Sequence, residues 1–355
     1  MLTRRDVLRT IAGAAVGVGL APATRAPSKA SFGLAYTSFV VRLLHGRDIL
    51  KTDAARLDAA AFFDLCQAFG AFGGQVDLSQ IDIEDGESLA ALRRGIEGRS
   101  LFAELSIPAR ALETDAAFDQ VAAVASALGI TRLRVALLSG RRYESFTTPG
   151  EWTAFASHWA GVLPRIKPSV ERHRLRLGIE NHKDWTAQEL AALLERLDSP
   201  FIGACVDFGN NVAFLEDPME LVSALAPWAV TTHLKDMAVR PCEGGFELSE
   251  VPLGTGLLPL AEMVETLRRA RPDLHFCLEM ITRDPLRVPC REDGYWATFG
   301  GRDEARLGAF ERTVLTHAWE EPLPRITGLS PAEQIAAEDE NVRRSAVYAR
   351  DSLGL

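Results

Sequence analysis

Past residue 30 the chain alternates short apolar runs with longer segments whose apolar residues recur every three or four positions. Short continuous apolar runs bounded by turn residues read as strands buried on both faces, and the longer periodic segments read as amphipathic helices. Eight such pairs follow one another. Strands are predicted at 32–39, 74–78, 102–108, 132–138, 175–180, 202–207, 230–234 and 275–281. Helices are predicted at 59–69, 88–98 and 116–128, then from 151 onward with a break near Pro164 and Pro168, and at 187–197, 218–225, 258–269 and 304–319. Eight consecutive units over residues 31–321 fit a closed (β/α)8 TIM barrel better than a doubly wound sheet.

Local signals support several of these boundaries. Thr186 and Glu189 frame Thr-x-x-Glu, a capping box at the predicted fifth helix. Ser330-Pro331-Ala332-Glu333 opens another helix, with proline tolerated at the first helical position. Residues 322–355 are therefore a C-terminal helical extension, packed on the barrel or on a second subunit of a homo-oligomer.

The first 26 residues read as an address. Arg4-Arg5 precede an apolar run from Ile11 to Leu20 and a small-residue stretch ending at Ala26. Charged, apolar and small-residue regions in that order form an export signal, and the paired arginines point to the twin-arginine route and the periplasm. The apolar run is too short to span a bilayer, so no stable membrane insertion is expected after cleavage. Cleavage after Ala26 would remove four arginines and one aspartate, taking the net charge from −9 to −12.

Of the 355 residues 47% are hydrophobic, enough for a sizeable core, and the acidic balance carries no basic block or interleaved Arg/aromatic stretch. Nucleic acid is thereby an unsuitable partner. Five cysteines contain no C-x-x-C; Cys205 and Cys277 fall in strand-like runs, while Cys242 and Cys290 lie in loops where they could pair.

In a barrel of this kind the chemistry sits at the C-terminal ends of the strands. Four successive strands place a metal-capable side chain there: Glu180 in Leu177-Gly178-Ile179-Glu180, Asp207 in Cys205-Val206-Asp207, His233 in Thr231-Thr232-His233 and Glu279 in Cys277-Leu278-Glu279. Each is one polar group in an apolar run, and an ionised carboxylate buried there must be paired or coordinated. Three carboxylates and one imidazole suit one divalent ion, Mn2+ first with Mg2+ next; Co2+ and Zn2+ are further candidates, though Zn2+ is more often met by additional His or Cys. His182, Lys235, Asn210 and Arg283 are candidate substrate contacts, with a surface pair to Asp284 or Glu292 the alternative for Arg283. Asp236 is expected to cap the following loop, and Trp185 and Trp296 are either sugar-stacking or core residues. Gly254 and Gly256 are a weak phosphate-cradle signal.

The Glu, Asp, His and Glu of strands five to eight resemble the pattern of the xylose isomerase-like superfamily, in its sugar phosphate isomerase/epimerase branch. Gly178-Ile179-Glu180-Asn181-His182, His233-Leu234-Lys235-Asp236 and Pro252-Leu253-Gly254-Thr255-Gly256 are the most specific pieces. Two positions depart: Asn210 stands where 3-epimerases often carry His, and Thr255 where Glu is common. The resemblance implies Glu180, Asp207, His233 and Glu279 as metal ligands, with Glu180 and Glu279 doubling as acid and base. The expected reaction is isomerisation or epimerisation of a sugar or keto-sugar by proton transfer through an enediolate. Alternatives are a lyase or dehydratase of an oxidised sugar or 3-oxo-glycoside, which shares the first half-reaction, and a non-catalytic periplasmic sugar-binding protein.

Overall fold

A computed structural model describes residues 31–43 and 57–355. The expected export segment, 1–26, lies outside the described residues. Eight parallel strands close into a barrel: β1 (Ser31–Ala35), β2 (Gly73–Asp77), β3 (Phe102–Pro108), β4 (Arg132–Ala136), β5 (Arg176–Glu180), β6 (Ile202–Asp207), β7 (Ala229–Leu234) and, eighth in the barrel, His275–Leu278, which completes the ring between β7 and β1. All six residues of β6 and of β7 are buried, one face towards the lumen and the other towards the helices, which is why these strands read as unbroken apolar runs.

The helices outside are α1 (Ala59–Ala68), α2 (Gly86–Gly98), α3 (Asp115–Leu128), α4 (Pro149–Arg172), α5 (Ala187–Leu197), α6 (Pro218–Leu225), α7 (Leu260–Ala270), α8 (Glu304–Thr316) and the terminal α9 (Pro331–Ser352). The capping boxes stand at α5, where Glu189 N donates to Thr186 Oγ1 at 3.2 Å and Thr186 N to Glu189 Oε2 at 2.9 Å, and at Ser330 before α9. Helix α4 does not break. Pro164 and Pro168 lie four residues apart on its exposed face, where carbonyls that lose an N–H partner meet solvent, while Trp159, Leu163, Ile166 and Val170 hold the opposite face in the core.

β4 stops at Ala136, and two other strands end well short of their apolar runs. The chain turns into a short 3-10 segment (Tyr36–Phe39) after β1, and the eighth barrel strand stops at Leu278. There Ser38 Oγ donates to Leu278 O at 2.8 Å and accepts from Met280 N at 3.0 Å, taking over the ladder's bonding groups.

A second, three-stranded antiparallel sheet was not expected from the sequence. It begins directly after β7 with the hairpin β8 (Asp236–Cys242) and β9 (Gly245–Val251), turned at Gly244 with φ +77°, and adds Leu286–Val288. Helix α9 packs on the barrel: Asn341 Nδ2 donates to Thr282 Oγ1 at 3.0 Å, and Glu338, fully buried, accepts from Val41 N at 2.6 Å. Cys242 and Cys290 are both free thiols. No helix among the described residues is long and apolar enough to cross a membrane.

Candidate metal centre

The four strand-end residues meet in space. One donor atom each from Glu180, Asp207, His233 and Glu279 lies within 4.8 Å of the others, and all four residues are buried. His233 Nδ1 stands at the middle, 3.4 Å from Glu180 Oε1, 3.7 Å from Asp207 Oδ2 and 3.3 Å from Glu279 Oε1. Backbone bonds set the first and last positions: β5 and β6 pair Glu180 with Cys205, and Glu279 N donates to Leu234 O at 2.9 Å.

Two side-chain cations face the three carboxylates. The Arg134 guanidinium, from β4, contacts Glu180, and Lys235 contacts both Asp207, at 2.8 Å, and Glu279. Asn210 Nδ2 donates to Glu180 Oε1 at 3.0 Å, and Thr37 Oγ1 to Glu279 Oε1 at 2.9 Å. Burial alone would push both glutamates up. Arg134 and His233 outweigh it at Glu180, and His233 and Lys235 outweigh it at Glu279, so both stay well below the usual carboxylate range. His233 is pulled down by burial and lifted further by Glu279 and Glu180, ending well above its ordinary value. Two glutamates held ionised around a charged imidazole thus mark a point where a cation can take the place of the imidazole proton.

The donors fit a divalent ion. His233 Nδ1 is buried with no hydrogen-bond partner, and its other nitrogen, Nε2, is 2.8 Å from Gln75 Oε1. Gln75 Nε2 in turn donates to Glu104 Oε2 at 3.2 Å, which fixes the amide so that its oxygen faces the imidazole. Nε2 therefore keeps its proton, and a cation replacing the proton on Nδ1 would meet that lone pair among the carboxylates, the outer-sphere arrangement of a metal-bound histidine. Cys205 also lies close enough to form a set with Glu180 and His233. Burial keeps its thiol protonated, well above its ordinary range, so it is the poorer donor.

Of the candidate substrate contacts, Lys235 and Asn210 join the cluster directly. His182 is half-buried beyond the end of β5; Nδ1 lies 2.9 Å from Leu138 O, and burial pushes its pKa down to about 4, leaving a neutral ring. Arg283 pairs with neither Asp284 nor Glu292. It grips the buried Glu250 of β9 through two nitrogens, at 2.6 and 3.2 Å, while Asp284 accepts from Ile326 N and Glu292 contacts Arg287. Asp236 does cap the following loop, and in doing so it removes the phosphate-cradle reading: its carboxylate accepts from Gly254 N at 3.0 Å, Gly256 N at 2.8 Å and Leu258 N at 3.1 Å. Trp185 and Trp296 are core residues, each packed edge to face in the interior, Trp185 against Trp152 and Trp296 against Tyr295.

Arg134, Gln75, Glu104, Lys183 and Glu250 were missed. The first three lie in strands β4, β2 and β3, each of which carries a second polar residue (Arg132, Asp77 and Ser106), so none stands out as the lone polar group of its run. A cavity of about 670 Å3 opens over the C-terminal ends of β1 to β4, with Tyr36, Ser106 and Arg134 on its wall, and so adjoins the carboxylates through Arg134.

A family model described as Xylose isomerase-like TIM barrel matches residues 86–298. A 3-oxo-isoapionate decarboxylase of Pectobacterium atrosepticum is 32% identical over 139 residues, 38% of this chain and 50% of that protein, so the chain spans about half the length of that relative. Among solved structures, D-psicose 3-epimerase crystallised in the presence of D-fructose has a TM-score of 0.60 at 13% identity, covering 92% of this chain and 100% of that one. An L-ribulose 3-epimerase gives 0.55 at 15% identity, covering 92% and 95%. At these identities the two structures speak for the fold.

Proposed function

Since the chain belongs to the xylose isomerase-like TIM-barrel family, we propose that it is a divalent-metal-dependent isomerase or epimerase of a sugar or keto-sugar. The observation that carries this reading is the pair of carboxylates, Glu180 and Glu279, set on either side of His233 Nδ1, each with a different cation. Glu180, Asp207, His233 and Glu279 would hold the ion, which when bound supplies electrophilic polarisation of a substrate carbonyl and its neighbouring hydroxyl.

The two cations give the carboxylates different roles. Arg134 does not release a proton at any working pH, so Glu180 beside it can take a proton from carbon but has no local supply to give one. Glu279 faces the other side of the centre; Asp207 and Glu279 hold the Lys235 ammonium charged, so the proton returned to the enediolate is one carried by the Glu279 carboxyl, with Lys235 fixing its position. The closed barrel buries both glutamates, which shields the enediolate between them from bulk water during the transfer. His182, neutral and anchored through Nδ1, presents Nε2 to a substrate hydroxyl.

The second reading is a lyase, favoured by the 139-residue match to a decarboxylase of a 3-oxo acid. Loss of carbon dioxide breaks a C–C bond, leaves the electron pair as an enediolate and needs no base. The Lys235–Glu279 side would then protonate carbon, while Glu180 would serve only as a ligand.

One experiment separates these readings. Mn2+-loaded protein is incubated in heavy water with keto-sugars and 3-oxo sugar acids, and products are followed by NMR. An isomer or epimer carrying deuterium at the reacting carbon supports proton transfer; carbon dioxide release with deuterium in the shortened product supports the lyase. Sugar binding without any exchange or turnover would overturn both and leave a binding protein. On the sequence of residues 1–26 we further propose export through the twin-arginine route.

A further inference from the structure

Beside the metal centre lies a buried ammonium without a carboxylate. Every other cation in this cluster has one: Arg134 has Glu180, Lys235 has Asp207 and Glu279, and Arg283 has Glu250. Lys183, only 5% exposed, has its side-chain hydrogen bond to the amide oxygen of Asn210 and no carboxylate oxygen within 4.0 Å among the described residues. An ammonium out of water with one neutral acceptor for three donors is poorly compensated.

The backbone shows that this placement is imposed. Lys183 adopts φ +61°, a left-handed conformation that a lysine rarely takes. Its neighbours hold it there: Arg142 N donates to Lys183 O at 2.9 Å, and the Asp184 carboxylate accepts from His182 N at 3.0 Å and Trp185 N at 2.8 Å. Strain maintained by surrounding bonds is characteristic of positions that serve a ligand. The ammonium it delivers is one side chain from the centre, because Asn210 Oδ1 accepts from both Lys183 and Lys235 while Asn210 Nδ2 donates to Glu180.

We propose that Lys183 receives a carboxylate of the substrate, so that the natural substrate is an anionic keto-sugar acid and not a neutral sugar. The inference rests on the keto-sugar reading of the site and names its substrate class. The match between charge and ligand is direct: an oxyanion seated between Lys183 and Lys235 gives the first its missing counter-charge and offsets the repulsion between the two. Burial, followed by that repulsion, already pushes the Lys183 pKa down to about 8, so an arriving anion stabilises the charged form it meets. The alternative, that Lys183 serves only to orient Asn210, predicts no discrimination between charged and neutral ligands.

A matched pair of probes tests this. 2-Keto-D-gluconate and D-fructose share a carbon skeleton and differ in a carboxylate against a hydroxymethyl group. Calorimetry on the Mn2+-loaded full chain should show the acid binding at least about tenfold tighter, on the scale of a buried charge-assisted contact. Lys183→Met should abolish that preference while leaving D-fructose affinity within about twofold, and Lys183→Arg should restore part of it. Equal affinity of the wild-type protein for the two probes overturns the inference alone, as does equal weakening of both in Lys183→Met. Binding of neither probe overturns it together with the keto-sugar reading. The wild-type comparison stands by itself if Lys183→Met does not fold.

Discussion

Replacing Gln75 with leucine should weaken metal binding without touching a metal ligand. His233 Nε2 and Gln75 Oε1 are 2.8 Å apart, and both residues have no solvent exposure, so water cannot substitute for the lost acceptor. Coordination through Nδ1 requires the proton on Nε2, whereas the metal-free imidazole is at liberty to change tautomer or charge. Holding an unpaired N–H buried costs about 1–3 kcal/mol, and that cost falls on the metal-bound state. At about 1.4 kcal/mol per tenfold it corresponds to a loss of about 5- to 150-fold in affinity, in line with the 10–100-fold typical of outer-sphere partners. Leucine also removes the bond to Glu104, but Glu104 keeps His275 Nδ1 at 2.8 Å and the Thr231 hydroxyl, so the barrel interior stays largely satisfied. Mn2+ competition against a fluorescent chelator measures the effect, with circular dichroism to verify the fold. A folded Gln75→Leu protein with affinity within twofold of wild type would refute the tautomer argument.

Three further outcomes are expected. Burial raises the pKa of Glu338 to about 7, so its stabilising protonated form is fully present below about pH 4.5 and is lost as pH rises through 7; on the order of 2–3 kcal/mol of pH-dependent stability should disappear in Glu338→Gln, and identical denaturation slopes between pH 5 and 7.5 for both proteins would refute it. Gly254 has φ +81°, and an added Cβ would lie 2.1 Å from the Tyr348 ring, so Gly254→Ala should destabilise by about 2–4 kcal/mol in urea titration, with no loss counting against the loop's role. A reporter fused to residues 1–30 should leave the cytoplasm, and lysines at Arg4 and Arg5 should retain it there; export of the lysine pair would point to another route.

How much was legible follows from what each residue depends on. Glu180, Asp207, His233 and Glu279 stood out because a lone polar group in a doubly buried strand has to be explained, and β/α order carries such groups to one end of the barrel. Gln75, Glu104 and Arg134 lie on β2 to β4, each with a second polar residue in its strand, and nothing in sequence reveals that the first two bond across the lumen to β7 or that Arg134 reaches Glu180 on the neighbouring β5. Lys183 depends on a left-handed loop conformation that only tertiary bonding reveals. Glu250 and the true partner of Arg283 were hidden by the unexpected hairpin, whose β8 contains Pro241, a residue that argues against a strand. Pro164 and Pro168 suggest a break by propensity alone, and the helix continues because both prolines face solvent, which sequence does not reveal.

The central claim is that four strand-end side chains form one divalent metal site, and metal content tests it most directly. Protein purified with Mn2+ should carry about one ion per chain by mass spectrometry, and chelation should lower its melting temperature because the ion binds only the folded site. The Asp207→Ala, His233→Ala double variant removes two of the four donors and should lose that ion while keeping its helical signal. Stoichiometric metal retained in the double variant, with an unchanged melting response to chelator, would contradict the account.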